Sequence, residues 1–507
     1  MSNQIEVQPF DQYNQELVNN VHPADWVNPQ PDGRYNLVAI GAGTAGLVSA
    51  LGAAGIGAKV ALIERHLMGG DCLNFGCVPS KGLIRAAKSY AAVRDAHEFG
   101  IGTGDAPQGD FAQVMERMRK LRTRISHNDS AERCQRDGVD MYIGEATFES
   151  SDTIRVGDRT LKFKNAVICA GARAKAPDIP GLEDAGYLTN ENVFSLTELP
   201  KRLAVIGAGP IGSELAQSFA RFGSEVTLLE MQAHILSRED ADAAEVVQQS
   251  MIRDGIDLTF HATVERVSHD DKGKTVHFQQ NDESKSVTVD EILVGIGRAP
   301  NVEGLNLDRV GVETKPYGVV VDDFLRTTNP KIYAAGDICS RFKFTHSADY
   351  LARIVIRNTL FWFLPKARAS NLVIPWCTYT DPEIAHVGMY EEEAKQQGIE
   401  VMTLAQPLAD VDRAILDGED AGFVKVHLKN GTDQILGATI VASHAGDMIS
   451  EITLAMTNKV GIKGIGATIH PYPTQADGIR KLGDAFNRTR MNPRVRKLFE
   501  RIFAFGR

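Results

Sequence analysis

Two stretches of this chain repeat one plan, and that repeat restricts the fold more than any other feature. The first is YNLVAIGAGTAGLVSALGAAGIGAKVALIE, residues 35–64, and the second is KRLAVIGAGPIGSELAQSFARFGSEVTLLE, residues 201–230. Each runs through an apolar strand, G-x-G-x-x-G, an Ala-rich helix, a Gly turn, a second apolar strand and a terminal glutamate. A lone G-x-G-x-x-G says little. With the strand, the helix and an acid about twenty residues on, it becomes the full dinucleotide fingerprint. Gly41 and Gly43, like Gly207 and Gly209, permit the tight turn and the close approach of a pyrophosphate, while Gly46 and Gly212 let helix and strand pack closely. The helix N-terminus then faces the phosphate charge. Glu64 and Glu230 stand where a ribose hydroxyl pair would be bound. Two dinucleotides are expected.

The length, 507 residues, is too great for one core and predicts about three domains. A net charge of −10 argues against nucleic acid as the main partner. From about residue 370 the text changes to NLVIPWCTYTDPEIAHVG, GFVKVHL and ILGATIVA, which read as strands, and then helical DMISEITLAMTN. That pattern predicts a separate α+β domain. YIGEATF, AVICAGARAKAP, EILVGIGRAPN and KIYAAGDIC read as further strands of the first fold. No apolar run approaches the roughly 18 residues of a membrane span. The first 34 residues lack the basic start and apolar core of a signal peptide and read as a polar extension packed on or trailing from the first domain, so the cytoplasm is expected.

Of only six cysteines, two lie five positions apart in MGGDCLNFGCVPSK, residues 68–81. Zinc would need a second Cys or His pair at ligand spacing, and none follows. A structural disulfide closing so small a loop adds little stability. A thiol pair kept for chemistry remains. Val78, Pro79, Ser80 and Lys81 open a helix, so Cys77 sits near a helix N-terminus that favours thiolate, and Lys81 adds positive charge one turn on. The other cysteines, Cys134, Cys169, Cys339 and Cys377, are scattered, as in a reducing compartment.

With GGDCLNFGCVPSK, GIGRAPN, AAGD and HPYPTQAD added to the two fingerprints, the chain resembles the flavin-dependent pyridine nucleotide-disulfide oxidoreductases from about residue 35 to about 485. The resemblance implies an α/β fold with two Rossmann-like domains, FAD-binding at 35–172 and 292–368 and NAD(P)H-binding at 173–291. A C-terminal α+β dimerisation domain at 369–490 and a homodimer would complete it. It further implies that Cys77 faces the flavin and Cys72 attacks the substrate. Lys81 would lie by the flavin, paired with Glu214 near the nicotinamide. Asp337 would hold the ribitol, and the helix begun by Thr345, His346 and Ser347 would aim at the pyrimidine edge, with a cap role for His346 as the alternative. Ala146 and Gly171 join the FAD set, and Gly297 the NAD(P)H set. Glu230 repels a 2′-phosphate, so NADH is expected over NADPH, although Arg238 keeps NADPH open. Pro210 stands where some relatives carry a gating aromatic residue.

The C-terminal motif departs from relatives that reduce dithiol substrates, which carry His-Pro-Thr with a Glu orienting the His. Here Tyr472 stands at that histidine position and Asp477 at that of the Glu. A phenol with a pKa of roughly 10 is a poor base at neutral pH. His470 could compensate if it shared a face with Tyr472 on an extended segment; the other reading is a packed histidine. Tyrosine at this place is similar to the mercuric-reductase branch, whose electrophile is a soft metal ion, although no cysteine follows Cys377 as a terminal ion-handling pair. The expected function is therefore transfer of electrons from NAD(P)H through FAD and a Cys pair to a soft metal ion or related electrophile. A dihydrolipoamide- or glutathione-type disulfide reductase and a flavin-thiol redox sensor are the rivals.

The tail from residue 491 to 507 is basic and spaces Val495, Leu498, Phe499, Ile502 and Phe503 along one helical stripe, and TLFWFLPKAR, residues 359–368, concentrates aromatics before basic residues. Such stripes usually face a protein core, and that reading comes first. Weak peripheral contact of the tail with an anionic membrane is the second.

Overall fold

The computed structural model describes residues 5–102, 109–175, 177–491 and 493–506. Residues 1–4 of the expected extension, Ala176 of AVICAGARAKAP, and Asn492 and Arg507 of the expected tail lie outside these. The chain forms two compact units. One contains residues up to Met231 with Ile256–Leu372, and the other Gln232–Gly255 with the chain from Val373 onward.

In the first unit, α1 (Gln12–Val21) precedes β1 (Arg34–Ile40), α2 (Thr44–Gly55) and β2 (Val60–Glu64). Then come α3 (Gly70–Asn74), α4 (Cys77–Arg94) and α5 (Phe111–Ser126), followed by β3 (Val139–Ile143), β4 (Ala146–Ser150), β5 (Thr153–Val156) and β6 (Arg159–Ile168). The sheet order is β3-β2-β1-β6-β5-β4, and the strand Ile332–Ala334 also pairs with β6. β1 lies parallel to both β2 and β6, and its near-continuous apolar run is buried, as a strand covered on both faces requires. YIGEATF is not one strand: Gly144, at φ 147°, breaks it between β3 and β4.

A second parallel sheet in this unit carries the second fingerprint, in the order Asp257–Thr259, Glu225–Leu229, Arg202–Ile206 and Glu291–Val294. An antiparallel three-stranded sheet from Ala262 to Val289 shares its apolar core through Val267, Val276 and Phe278.

The N-terminal segment is packed on the first unit and does not trail from it. Asp11 caps α1 by accepting from the Tyr13 and Asn14 amides, and Leu17, Val18 and Val21 enter the main core.

The second unit is an antiparallel sheet ordered Pro375–Thr378, Glu383–Gly388, Ile435–Ala442, Phe423–Lys429, Val401–Pro407. The helices Ala445–Thr457, Ile462–Ala467 and Asp477–Arg490 supply Ile449, Ile452, Ile465, Ile479 and Leu482 to its core. The helix Ala241–Arg253 belongs here because polar bonds hold the segment that leads into it. Lys425 Nζ meets Asp240 at 2.6 Å and Asp242 at 2.7 Å, and Tyr390 and Trp376 both donate to Glu239. The tail forms the helix Pro493–Phe505, none of whose described side chains is buried. Nor does FWFL lie in the core, since Trp362 is 76% exposed.

Candidate active site

The two glycine loops have the same geometry. Gly41 and Gly207 adopt φ of 99° and 97°. A Cβ on Gly46 would lie 1.7 Å from the Gly41 carbonyl oxygen, and one on Gly212 would lie 2.0 Å from that of Gly207, so neither position admits a side chain. Gly43 and Gly209 precede α2 and the helix Pro210–Phe222, and neither helix has a side-chain N-cap. The opening amides are thus left for an anion such as a pyrophosphate. The terminal acids brace the loops as well. Glu64 accepts from the Ala42 amide at 2.7 Å and the His66 amide at 2.8 Å, and Glu230 accepts from the Ala208 amide at 2.7 Å. Each carboxylate oxygen can accept a second bond, which keeps both acids compatible with a ribose.

Cys72 lies on α3, and Cys77 is the first residue of α4, whose N-cap, Gly76, offers no side chain. Both are reduced, and the Cys77 Sγ sits 3.3 Å from the Thr345 hydroxyl. The two thiols separate in acidity. A hydrogen bond from Cys72 favours the Cys77 thiolate, and against the cost of burial the Thr345 hydroxyl and the Lys81 charge bring its pKa down to about 6. The same bond, with burial, pushes the Cys72 thiol up. The fully reduced enzyme should therefore hold one shared proton on Cys72 at neutral pH. Cys77 is thiolate above about pH 6, so its alkylation by iodoacetamide, followed by peptide mass spectrometry, should fall as pH drops through 6. An inflection at the ordinary thiol value of roughly 8.5 would remove the proposed activation.

Lys81 Nζ donates to Glu214 Oε2 at 2.9 Å, and the Glu214 side chain is buried. α4 and the helix Pro210–Phe222 thus bring together the two charges whose motif positions suggested a pair. Thr345 opens the helix Thr345–Leu360, again without a side-chain N-cap, and the Ser347 hydroxyl on its first turn is buried with no hydrogen-bond partner. Uncapped amides and an orphaned hydroxyl suit a polar ring edge. His346 stacks on Phe344 at 5.4 Å. Asp337 is drawn up by burial, against the charge of Arg298, whose guanidinium lies 3.6 Å from Asp337 and 3.3 Å from Asp71 of the cysteine loop. Ala146 begins β4, the Gly171 carbonyl accepts from the Asn301 amide, and the Gly297 carbonyl accepts from the Lys175 amide.

The remaining candidates lie in the second unit. Tyr472 is 74% exposed, and its hydroxyl donates to Asp412 at 2.8 Å. That bond pushes the phenol further up, away from the range of a base. Asp477 is not its partner; it pairs with Arg480 at 2.6 Å and Lys481 at 3.5 Å. Nor do His470 and Tyr472 share the face of a strand. The His470 side chain is only 6% exposed, held by Glu451 at 2.9 Å and the Thr468 carbonyl at 3.0 Å, so the packed reading describes it.

The sequence reading missed a buried brace beneath the cysteine loop. Arg122 of α5 donates to the Asn74 carbonyl at 2.7 Å and to Asn14 of α1 at 2.6 Å. Asn74 in turn donates to the Met68 and Gly70 carbonyls, and the Met68 amide donates to the Val21 carbonyl. Arg119 pairs with Asp11 at 2.5 Å. Only the length of the polar extension hinted at it.

The profile described as pyridine nucleotide-disulphide oxidoreductase matches residues 35–351, and that of the family's dimerisation domain matches residues 374–482. The chain belongs to this family. It is 35% identical over 458 residues to a mercuric reductase of Staphylococcus aureus, covering 90% of this chain and 83% of that one. It is 34% identical to a dihydrolipoyl dehydrogenase of Geobacillus stearothermophilus, covering 86% and 93%. Among solved structures it resembles the HOCl-induced flavoprotein disulfide reductase RclA from Escherichia coli in its Cu(II) complex, with TM-score 0.78, 28% identity and coverage of 90% and 100%. As a pyridine nucleotide-disulphide oxidoreductase it is a flavoprotein enzyme that uses FAD and NAD(P)H, and the two glycine cradles fit both dinucleotides. Among the described residues no helix is long and apolar enough to cross a membrane.

Proposed function

We propose that this oxidoreductase is a homodimer that passes electrons from NADH, through FAD and the Cys72–Cys77 pair, to a soft metal ion or a related electrophile. The observation that carries the reading is Tyr472, whose phenol stands at the histidine position of dithiol-reducing relatives and is held as a hydrogen-bond donor by Asp412. A disulfide substrate needs a base that takes up and returns a thiol proton near neutrality. Two thiolates need none to hold a soft cation. The similarity to mercuric reductases and to a Cu(II)-complexed reductase supports the same class of acceptor.

Bound FAD supplies the electron pair, taken from NADH, that opens the Cys72–Cys77 disulfide. The chain's own residues do the rest. The amides opening α2 and the helix Pro210–Phe222 bind the two pyrophosphates, and the carboxylate of Glu230 disfavours a 2′-phosphate. Lys81, anchored by Glu214, keeps a positive charge beside Cys77. Thr345 donates to the Cys77 thiolate, while Cys72, the higher-pKa thiol, keeps the proton until it meets the acceptor. The ion displaces the Cys72 proton to water; the two thiolates then give up two electrons as they close to a disulfide, one mercuric ion taking both or two cupric ions taking one each, and the reduced metal leaves. Tyr472 of the partner subunit, its proton held by Asp412 of the same copy, would face this pair across the dimer with its phenol oxygen left to accept.

Steady-state NADH oxidation under anaerobic conditions tests this, with mercuric ion, cupric ion and oxidised glutathione as acceptors, and with dihydrolipoamide in the reverse direction. Metal ions should give the higher kcat/KM, and NADH should outperform NADPH. Tyr472→Phe should slow metal reduction but not flavin reduction by NADH. Tyr472→His should raise disulfide reduction by about a hundredfold, the usual worth of a placed general base. A wild type that prefers a disulfide, together with an inert Tyr472→Phe, would overturn the reading.

A further inference from the structure

The helix Pro493–Phe505 carries none of the redox or nucleotide-binding residues named above, and none of its described side chains is buried. At about 100° per residue, Phe505, Leu498, Ile502, Val495, Phe499 and Phe503 sweep one continuous arc of about 160°. Phe499 and Phe503 stack at 5.8 Å, Phe503 is 61% exposed and Phe505 is 97% exposed. An apolar stripe of this breadth is costly to leave in water.

The charges around the stripe indicate what covers it. Arg496 borders one edge and Arg494 and Arg501 the other, with Lys497 beyond them. The single acid, Glu500, lies on the far side, where it pairs with Arg496 at 3.2 Å. Four cations against one anion give this helix +3 within a chain of −10. A partner's core contact has no need of cations on both borders. An anionic headgroup layer does, since flanking Arg and Lys then reach lipid phosphates while the rings enter the acyl boundary. A separate exposed aromatic turn, Trp362–Phe363, is of the type that settles at headgroup depth.

We propose that this C-terminal helix docks the enzyme on an anionic lipid bilayer, lying in the plane of the interface with Phe499, Ile502 and Phe503 inserted. A single short amphipathic helix gives reversible binding that depends on charge.

Full-length, FAD-loaded enzyme should be sedimented with vesicles of phosphatidylcholine containing phosphatidylglycerol, and with phosphatidylcholine vesicles alone. The bound fraction should be high only on the anionic vesicles and fall at least about tenfold when salt is raised from about 0.05 to about 0.5 M. F499S/F503S and R494Q/R496Q/K497Q/R501Q should each lower it at least about tenfold, with FAD content and NADH oxidation unchanged. Wild-type protein left in the supernatant, or a double serine variant that sediments like wild type, would overturn the proposal. So would conversion of that variant from dimer to monomer in sedimentation velocity, because the stripe would then belong to a second copy of the chain. None of these readouts depends on which acceptor the enzyme reduces.

Discussion

Cys72→Ser should retain reduction of its flavin by NADH within a few-fold while losing at least about a thousandfold in acceptor turnover, the scale on which removal of a reacting nucleophile is felt. The two cysteine variants should then diverge in their spectra. In Cys72→Ser the remaining Cys77 keeps the Thr345 hydroxyl and the Lys81 charge, both of which favour thiolate. A thiolate held against the flavin gives long-wavelength absorbance, and this variant should show it before any reductant is added. Cys72→Ala, which removes the Cys72 hydrogen bond that contributes most to the low pKa, should lose the band at a higher pH than the wild type. Cys77→Ser should show no such band, because the thiol that remains is the substrate-facing one and not the one held against the flavin. Identical spectra in the two variants would mean that the cysteines are not divided into a flavin-facing and a substrate-facing member.

The parts of this site that could be read in the sequence are those set by local backbone geometry. Gly46 and Gly212 could be assigned from spacing alone because a Cβ at either would collide with the carbonyl of the first glycine, which no tertiary context can relieve. Cys77 at a helix start follows from the five residues around it. Lys81 and Glu214 lie 133 positions apart, and only their places within two motifs made the pair readable.

Where a side chain's partner comes from an unrelated segment, the reading ran out. Tyr472 and Asp412 are separated by 60 positions with no motif around Asp412. His470 looked available beside Tyr472 because alternate residues of a strand share a face. Its segment is not a strand, and Glu451 draws the ring inward. Arg122 was least visible of all. In FAQVMERMRKLRTRIS it is one of several cations on an amphipathic helix, and nothing local distinguishes the one that α1 covers.

That buried arginine carries the second large effect. Arg122→Met should loosen the cysteine loop without dissolving the fold. Burial, with the charge of Arg119, draws the Arg122 pKa down only to about 10, so it remains a cation at neutral pH. Methionine fills much of its volume but leaves the Asn74 carbonyl and the Asn14 amide oxygen facing each other unpaired. Unpaired buried polar groups cost about 2 kcal/mol or more, which corresponds to roughly a thirtyfold rise in local opening. Hydrogen exchange of the holoenzyme should therefore accelerate by that factor in residues 68–77 and in α1, while the second unit exchanges as in wild type. Because this loop sets the position of Cys72 against Cys77, the midpoint for Cys77 alkylation should move up from about 6 toward the ordinary thiol range. Arg122→Lys keeps a cation that can donate to the Asn74 and Asn14 oxygens, so its protection and its alkylation midpoint should lie nearer those of wild type than those of Arg122→Met. Faster exchange confined to α1 and α5, with residues 68–77 and the Cys77 midpoint unchanged, would show that the N-terminal helix only covers the domain. A shift in both would make Arg122 and Asn14 positioning residues of the redox pair, acting through the Asn74 carbonyl and the backbone of the loop that holds Cys72.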